Sequence, residues 1–366
     1  MKHLFFSKLV ASVVIATVSG AASLFAQENT AELNTNHPNV RAAMAAQKEL
    51  TPDVMKKPEV LGTAIGANAS DRPVLIIYVD RESQNAGEII RNLPKESRGF
   101  PIQIELTDKF RAQPGKPGST TTTVSHTAPQ APPIQLGTSG GWRSDLANGY
   151  CCGGTLGSLV SINGTQFILS NYHVLEADIV LGGNNIIAQT GDPVIQPGLI
   201  DIGCDANRST SVAVLVKKSA LPQANVDCAI AQVNAGMVAA DGSILEIGPL
   251  SSQTIPAALR QAVKKSGRTT GLTRSSVSGL NATINVSYEN ECAGGPAFTK
   301  TFVGQIVISN RNNVFLNGGD SGSLLVEDVK TRPRAVGLLF AGSSTDAIAN
   351  PIGEVLNFLG ATMVGN

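Results

Sequence analysis

The stretch from Asn317 to Leu325, "NGGDSGSLL", places Gly318 and Gly319 before an Asp-Ser pair and Gly322 after it, ahead of an apolar run. Glycine lacks Cβ and reaches backbone conformations closed to other residues, so glycines this closely spaced mark a tight, crowded turn. Such a turn reads either as the plain opening of a strand or as a reactive serine held beside bare backbone N–H groups. A serine hydroxyl is a weak nucleophile at neutral pH and needs an adjacent base. The partners of Ser321 therefore decide between the two readings.

The chain holds four histidines. His3 falls in an N-terminal leader, His37 in the segment after it and His126 in a Pro/Thr-rich stretch. His173, in "ILSNYHVLEAD", is the one histidine of the strand-rich C-terminal region. Its near-neutral pKa suits a general base; the bland alternative is a structural histidine. A base of this kind also needs a carboxylate to fix its tautomer. Asp227, in "NVDCAIAQV", opens an otherwise apolar strand, where a charge is costly without a partner. Asp201 and Asp205 are rivals whose Gly- and Asn-rich surroundings read as exposed loop. No histidine follows Ser321, which rules out the chain order of an α/β-hydrolase. The order His173, Asp227, Ser321 is that of two-barrel serine hydrolases.

The composition restricts the other classes. In 366 residues, 28 Lys+Arg balance 28 Asp+Glu, which argues against a nucleic-acid or anionic-membrane partner. Residues 1–26 read as an export signal: a basic start at Lys2, His3 and Lys8, an apolar core from Leu9 to Val18, and Leu24-Phe25-Ala26 before Gln27. The core is shorter than the ~20 residues of a membrane span, so a secreted or periplasmic product without a stable span is expected. The five cysteines, Cys151, Cys152, Cys204, Cys228 and Cys292, have no zinc-like spacing, and their odd count leaves at least one thiol without an intrachain partner. No connectivity follows from the sequence. No metal and no cofactor are expected.

Three regions follow the leader. Residues 27–112 suggest a helix ("NVRAAMAAQKEL") and a small α+β domain, with strands at "EVLGTAIGA", "RPVLIIYVD" and "FPIQIEL" and a helix at "NAGEIIRNL". Residues 113–141 are dense in Pro, Gly, Ser and Thr and read as a linker, or as a segment partly ordered on the next domain. Residues 142–366 carry many short strands, with a hairpin at Asn163-Gly164. They end in one helix with Ile352, Val355, Leu356 and Leu359 on a common face. Asn350 is its expected cap, Pro351 fits its first turn and Gly360 its end. The fold class expected is mainly β: two antiparallel β-barrels and a C-terminal helix, preceded by a small α+β domain.

"TLGSLV", "LSNYHVL", "VDCAIA", "SGRTTGLT" and "GGDSGSLLV" together resemble the trypsin-like serine protease superfamily, in particular its bacterial streptogrisin and α-lytic type and the narrow-leaf-protein group. The front region more weakly resembles the small domain preceding the protease in many bacterial members. The resemblance implies a serine endopeptidase with a peptide or protein substrate: Ser321 as nucleophile, His173 as base and then acid, Asp227 as orienting acid. It implies an oxyanion hole from the amides of Gly319 and Ser321, and a buried Arg268–Asp320 pair that holds the oxyanion loop. It also puts Phe315 at the base of the substrate pocket, with Ile352 facing in and Gly342 binding substrate backbone. Phe340 replaces a serine that supports the triad acid in many members, which would leave Asp227 short of one donor. Val174 stands where many members have cysteine. The competing expectation is a binding or scaffold protein with an occluded or self-processing site. An oligomer is left open.

Overall fold

The computed structural model describes Met1 and residues 32–112, 124–147, 150–176, 188–218, 220–288, 298–311 and 314–366. The expected leader and its cleavage site lie outside the described residues, as do residues 113–123 of the expected linker.

Two curled sheets carry the fold, and both grow from the period-2 patterns of the sequence. The first is built around the hairpin of Ser158–Ile162 and Thr165–Ser170. Asn163 and Gly164 have φ of 50° and 82°, the double positive φ that a two-residue hairpin turn demands. Ala229–Val233, Thr210–Val216, Pro193–Gln196, Thr138–Trp142 and Gly154–Leu156 extend this sheet in that order on one side. Thr362–Met363, after the C-terminal helix, adds to the other side.

The second sheet contains a closed ring. Ala262–Gly267, Leu324–Glu327, Ala335–Gly342, Asp346–Pro351, Phe298–Ser309 and Gly271–Tyr288 pair in succession, and the last pairs back onto the first. In Gly271–Tyr288, Ala282, Ile284, Val286 and Tyr288 alternate inward, all buried. The helix Ile352–Leu359 buries Ile352, Val355 and Leu359, and Gly360 ends it at φ 65°. Asn350 does not cap it: its side chain turns inward to accept from the Asp227 amide at 2.9 Å, and Pro351 stands at the cap position.

The front region has the expected elements: helices Pro38–Val54 and Ala86–Asn92, strands Val60–Ala67, Pro73–Asp80 and Phe100–Thr107. It is not a separate body. Val60–Ala67 pairs directly with Gly271–Tyr288, so the front sheet continues the ring, and residues 32–366 form one compact unit. Every residue of Pro73–Asp80 is buried. Leu75 packs in a cluster with Val40, Ala43 and Ala46 of the first helix, and Tyr78 with Phe110 on the other face. Gln47 fastens the helix to the ring, donating to Asn281 O at 2.9 Å and accepting from Asn281 Nδ2 at 2.9 Å.

Residues 134–141, read from composition as part of the linker, are packed, and His126 is buried ahead of them. Ile134 and Leu136 are fully buried, and His126, also fully buried, bonds Gly137 O at 2.8 Å and Glu246 at 2.7 Å. The Pro and Thr content around them breaks regular periodicity without preventing burial. Cys151 and Cys204 form a disulfide, Cys152 is disulfide-bonded as well, and Cys228 is a buried free thiol. No described helix is long and apolar enough to cross a membrane.

Candidate active site

The turn after Thr165–Ser170 carries His173 in the single helical turn Tyr172–Leu175. Its partner enters two residues before the neighbouring strand, whose Ala229 pairs with Ser170. His173 Nδ1 and Asp227 Oδ2 are 2.6 Å apart. An ionised carboxylate only accepts, so Nδ1 carries the proton and Nε2 is left as the basic nitrogen. Among the described residues Nε2 has no hydrogen-bond partner, and no hydrogen bond joins it to Ser321.

Asp227 is wholly buried and well supplied with donors. Its Oδ1 accepts from the Tyr172 amide at 2.7 Å, and its Oδ2 from the Tyr288 hydroxyl at 2.9 Å. Asn171 Nδ2 donates to the Asp227 carbonyl at 2.7 Å. The donor expected to be missing because Phe340 replaces a serine is thus supplied by Tyr288, from the end of the long ring strand. Burial and the Asp227 charge push the Tyr288 phenol well above its usual range, so it stays a donor. Phe298 stacks on its ring at 4.8 Å, while Phe340 is buried against Phe302.

The second turn is "NGGDSG". Gly319 and Gly322 have φ of 92° and 91°, conformations that explain two of the quoted glycines. A Cβ on Gly322 would strike Thr155 O and Ser170 Oγ, so the turn lies flat against the first sheet. Thr155 grips it, donating its amide to Ser321 O and its hydroxyl to Gly319 O, each at 2.9 Å. The amides of Gly319 and Ser321 donate to no group among the described residues. The two turns share one neighbour: a Cβ on Gly154 would meet Val174 at 2.6 Å and Ser321 O at 3.0 Å.

The cation behind this turn is not the expected one. Arg268 is fully buried, but its guanidinium forks onto Asp201, with Nε to Oδ2 at 2.9 Å. Asp201 also accepts from Ser139 Oγ at 2.6 Å, so the loop reading of Asp201 is overturned too. Asp320 faces Lys265 instead, Nζ to Oδ2 at 3.3 Å, with both side chains wholly buried. It also accepts from the Thr269 and Thr270 amides, at 2.9 and 3.1 Å, and from the Thr270 hydroxyl at 2.7 Å. Burial lowers the Lys265 pKa, and the Asp320 charge opposes that. The geometry explains the exchange. A Cβ on Gly267 would lie 2.7 Å from Asp320 Oδ1, so the strand backbone runs close to the acid and a side chain two residues earlier reaches it.

A cavity of about 110 Å³ opens beside Ser321, lined by Leu316, Asn317, Gly318 and Ala341–Ser344, together with Asp108 and Arg111 of the front region. Asn310 pins both walls, donating to Leu316 O at 3.0 Å and Ser343 O at 2.9 Å. Of the expected pocket residues, Gly342 lines this cavity. Phe315 and Phe340 are core residues that do not, and Ile352 faces a separate cavity of about 580 Å³. A Cβ on Gly342 would sit 2.8 Å from Leu316, so that side chain lies against the Gly342 wall. Just behind the cavity, burial lifts the Asp346 carboxyl to about 7.

Lys265, Tyr288, Asn310, Asp108 and Arg111 escaped the sequence reading. Tyr288 shares a strand face with Val286 and Ile284, so alternation turns it inward, whereas every residue from Val263 to Gly267 is buried and alternation does not single out Lys265. Nothing local named their partners.

No family model and no curated protein matches the chain. Among solved structures it is similar to a glutamic acid specific serine protease, with 18% identity, a TM-score of 0.42, and 63% of this chain and 100% of that one covered. It is also similar to Thermobifida fusca Protease A, with 17% identity, a TM-score of 0.41, and 64% and 99% covered. For Cellulomonas bogoriensis chymotrypsin the values are 20% identity, a TM-score of 0.37, and 58% and 91% covered.

Proposed function

We propose that this protein is an exported serine peptidase that works through an acyl-enzyme. The observation that carries the reading is the 2.6 Å bond from a buried carboxylate to one nitrogen of His173, with the other nitrogen left without a partner. In the proposed first step, Ser321 Oγ attacks the scissile carbonyl carbon while His173 Nε2 takes its proton. The charge that develops on the carbonyl oxygen is met by the Gly319 and Ser321 amides; losing one such donor typically costs on the order of 10²–10³ in turnover. The C–N bond then breaks, and the proton on Nε2 passes to the leaving amine. Water repeats the sequence on the acyl carbon and returns the proton to Oγ. Asp227 holds the imidazole in the required tautomer throughout and stabilises its cation. The Cys151–Cys204 disulfide accords with export into an oxidising compartment.

A fluorophosphonate probe tests the reading directly. Covalent labelling of the wild type, absent in Ser321→Ala, is expected. A folded wild-type protein that resists the probe would point to the scaffold alternative.

A further inference from the structure

The last strand of the front region, Phe110–Ala112, pairs with the strand whose end lines the cavity beside Ser321. Exposed strand edges are the usual docking rails for extended peptides, because unpaired N–H and C=O groups give affinity for any backbone. Gly342, which lines the cavity at Ser321, ends the strand Ala335–Gly342. One of its sides is paired to Ala347 and the other to Arg111, antiparallel. The same Phe110–Ala112 segment pairs in parallel with Val286–Tyr288, whose other side is taken by Phe298–Lys300. At Gly342, the one residue of Ala335–Gly342 paired with the segment, both sides are therefore taken.

The segment is firmly held. Phe110 is fully buried and Ala112 nearly so. Thr107 Oγ1 donates to Ser343 Oγ at 2.8 Å, and Asp108 accepts from the Ser344 amide at 3.1 Å. Asp108 and Arg111 therefore form a fixed wall of the cavity. The cavity beside Ser321, about 110 Å³, is well under the ~300–1,000 Å³ of common ligand pockets. It suits one side chain and little preceding backbone, not a strand running past Gly342.

From this we infer that the front region restricts the proposed serine peptidase to peptides whose scissile bond lies within about two residues of a free N-terminus. Such an enzyme releases single residues or dipeptides, in place of the internal cuts of the endopeptidase that the resemblance implies. The chemistry is the acyl transfer above: the short N-terminal fragment is bound to Ser321 Oγ, and the rest of the peptide leaves as the amine.

The inference rests on the serine-peptidase reading, and the two fail separately. The full-length protein is first treated with the fluorophosphonate probe, then an unlabelled portion is incubated with a mixed-sequence peptide library, with Ser321→Ala as control. Mass spectrometry of the new termini should find cuts after positions 1 and 2, at least tenfold more frequent than cuts after position 3 or beyond. A probe-reactive protein that cuts internally, or that favours longer acyl sides, overturns the inference and leaves the peptidase intact. So does long-acyl cleavage that appears only after the chain is cut near residue 112, because the segment is then a removable plug. A protein that neither labels nor cleaves sinks both.

Discussion

Asp227 and Asp320 are both wholly buried, both accept several hydrogen bonds, and both stand beside a turn of the candidate site. Their partners differ in kind. Asp320 faces Lys265, a buried cation, and the pair is neutral within itself. Among the described residues Asp227 has no lysine or arginine. Amides, a phenol and the His173 ring satisfy it. A carboxylate already neutralised by lysine has little field left for a developing imidazolium, whereas one held by neutral dipoles keeps it. The comparison assigns Asp320 to holding a backbone turn in shape and, under the proposed mechanism, leaves Asp227 to orient the base for proton transfer.

The sharpest way to break that assignment is to remove each charge without removing its shape. Asp227→Asn should lower turnover by about 10⁴, by presenting the wrong face of the amide to Nδ1 and losing the preferred tautomer, with only a modest change in unfolding free energy. If steady-state kinetics of this variant stayed within tenfold of wild type on a cleaved peptide, Asp227 would be structural and the two acids would be alike.

The pattern of what was legible follows the range of the interactions. Strands and helices were readable because alternation and helical spacing are local: the Asn163-Gly164 hairpin, the Pro73–Asp80 strand and the Ile352–Leu359 helix stand where their patterns put them. The contact between His173 and Asp227 was readable by elimination, the one residue from the scarcity of histidines and the other from the cost of a charge in an apolar strand. The choice between Arg268 and Lys265 was not. Two cations three residues apart precede the same turn, and which one meets Asp320 depends on how closely Gly267 approaches the acid, a tertiary distance. The pocket failed for a related reason. Its wall comes from Asp108 and Arg111, more than two hundred residues from Ser321, and only the pairing of the Phe110–Ala112 strand brings them there.

The next largest effect concerns stability. Lys265→Met leaves Asp320 as a buried charge without its cation, and removing one partner of such a pair costs about 3–5 kcal/mol. Urea melts should show that loss. Lys265→Met combined with Asp320→Asn should recover much of it, since the amide is neutral and still accepts from the Thr269 amide. Arg268→Ala should not be rescued by Asp320→Asn, because its carboxylate is Asp201. Rescue of Arg268→Ala and not of Lys265→Met would reverse the two pairings.

The smallest effect sharpens the other half of the comparison. Tyr288 donates to the same Asp227 oxygen that His173 Nδ1 faces, so it fixes where that oxygen points as well as lowering the cost of burying its charge. Tyr288→Phe keeps the ring, its stack on Phe298 and its edge contact with His173 at 6.0 Å, and removes only the hydroxyl. A hydrogen bond to a charged group contributes about 1.5–3 kcal/mol, but the Tyr172 amide still serves Asp227 and limits the loss. Turnover should fall about tenfold with KM unchanged, because the hydroxyl touches the base's partner and not the substrate cavity. A change confined to KM would instead place Tyr288 at the substrate. A loss matching that of Asp227→Asn would mean that the carboxylate is held by this one hydroxyl alone, and the dense network of neutral donors around it would then be packing without consequence for the chemistry.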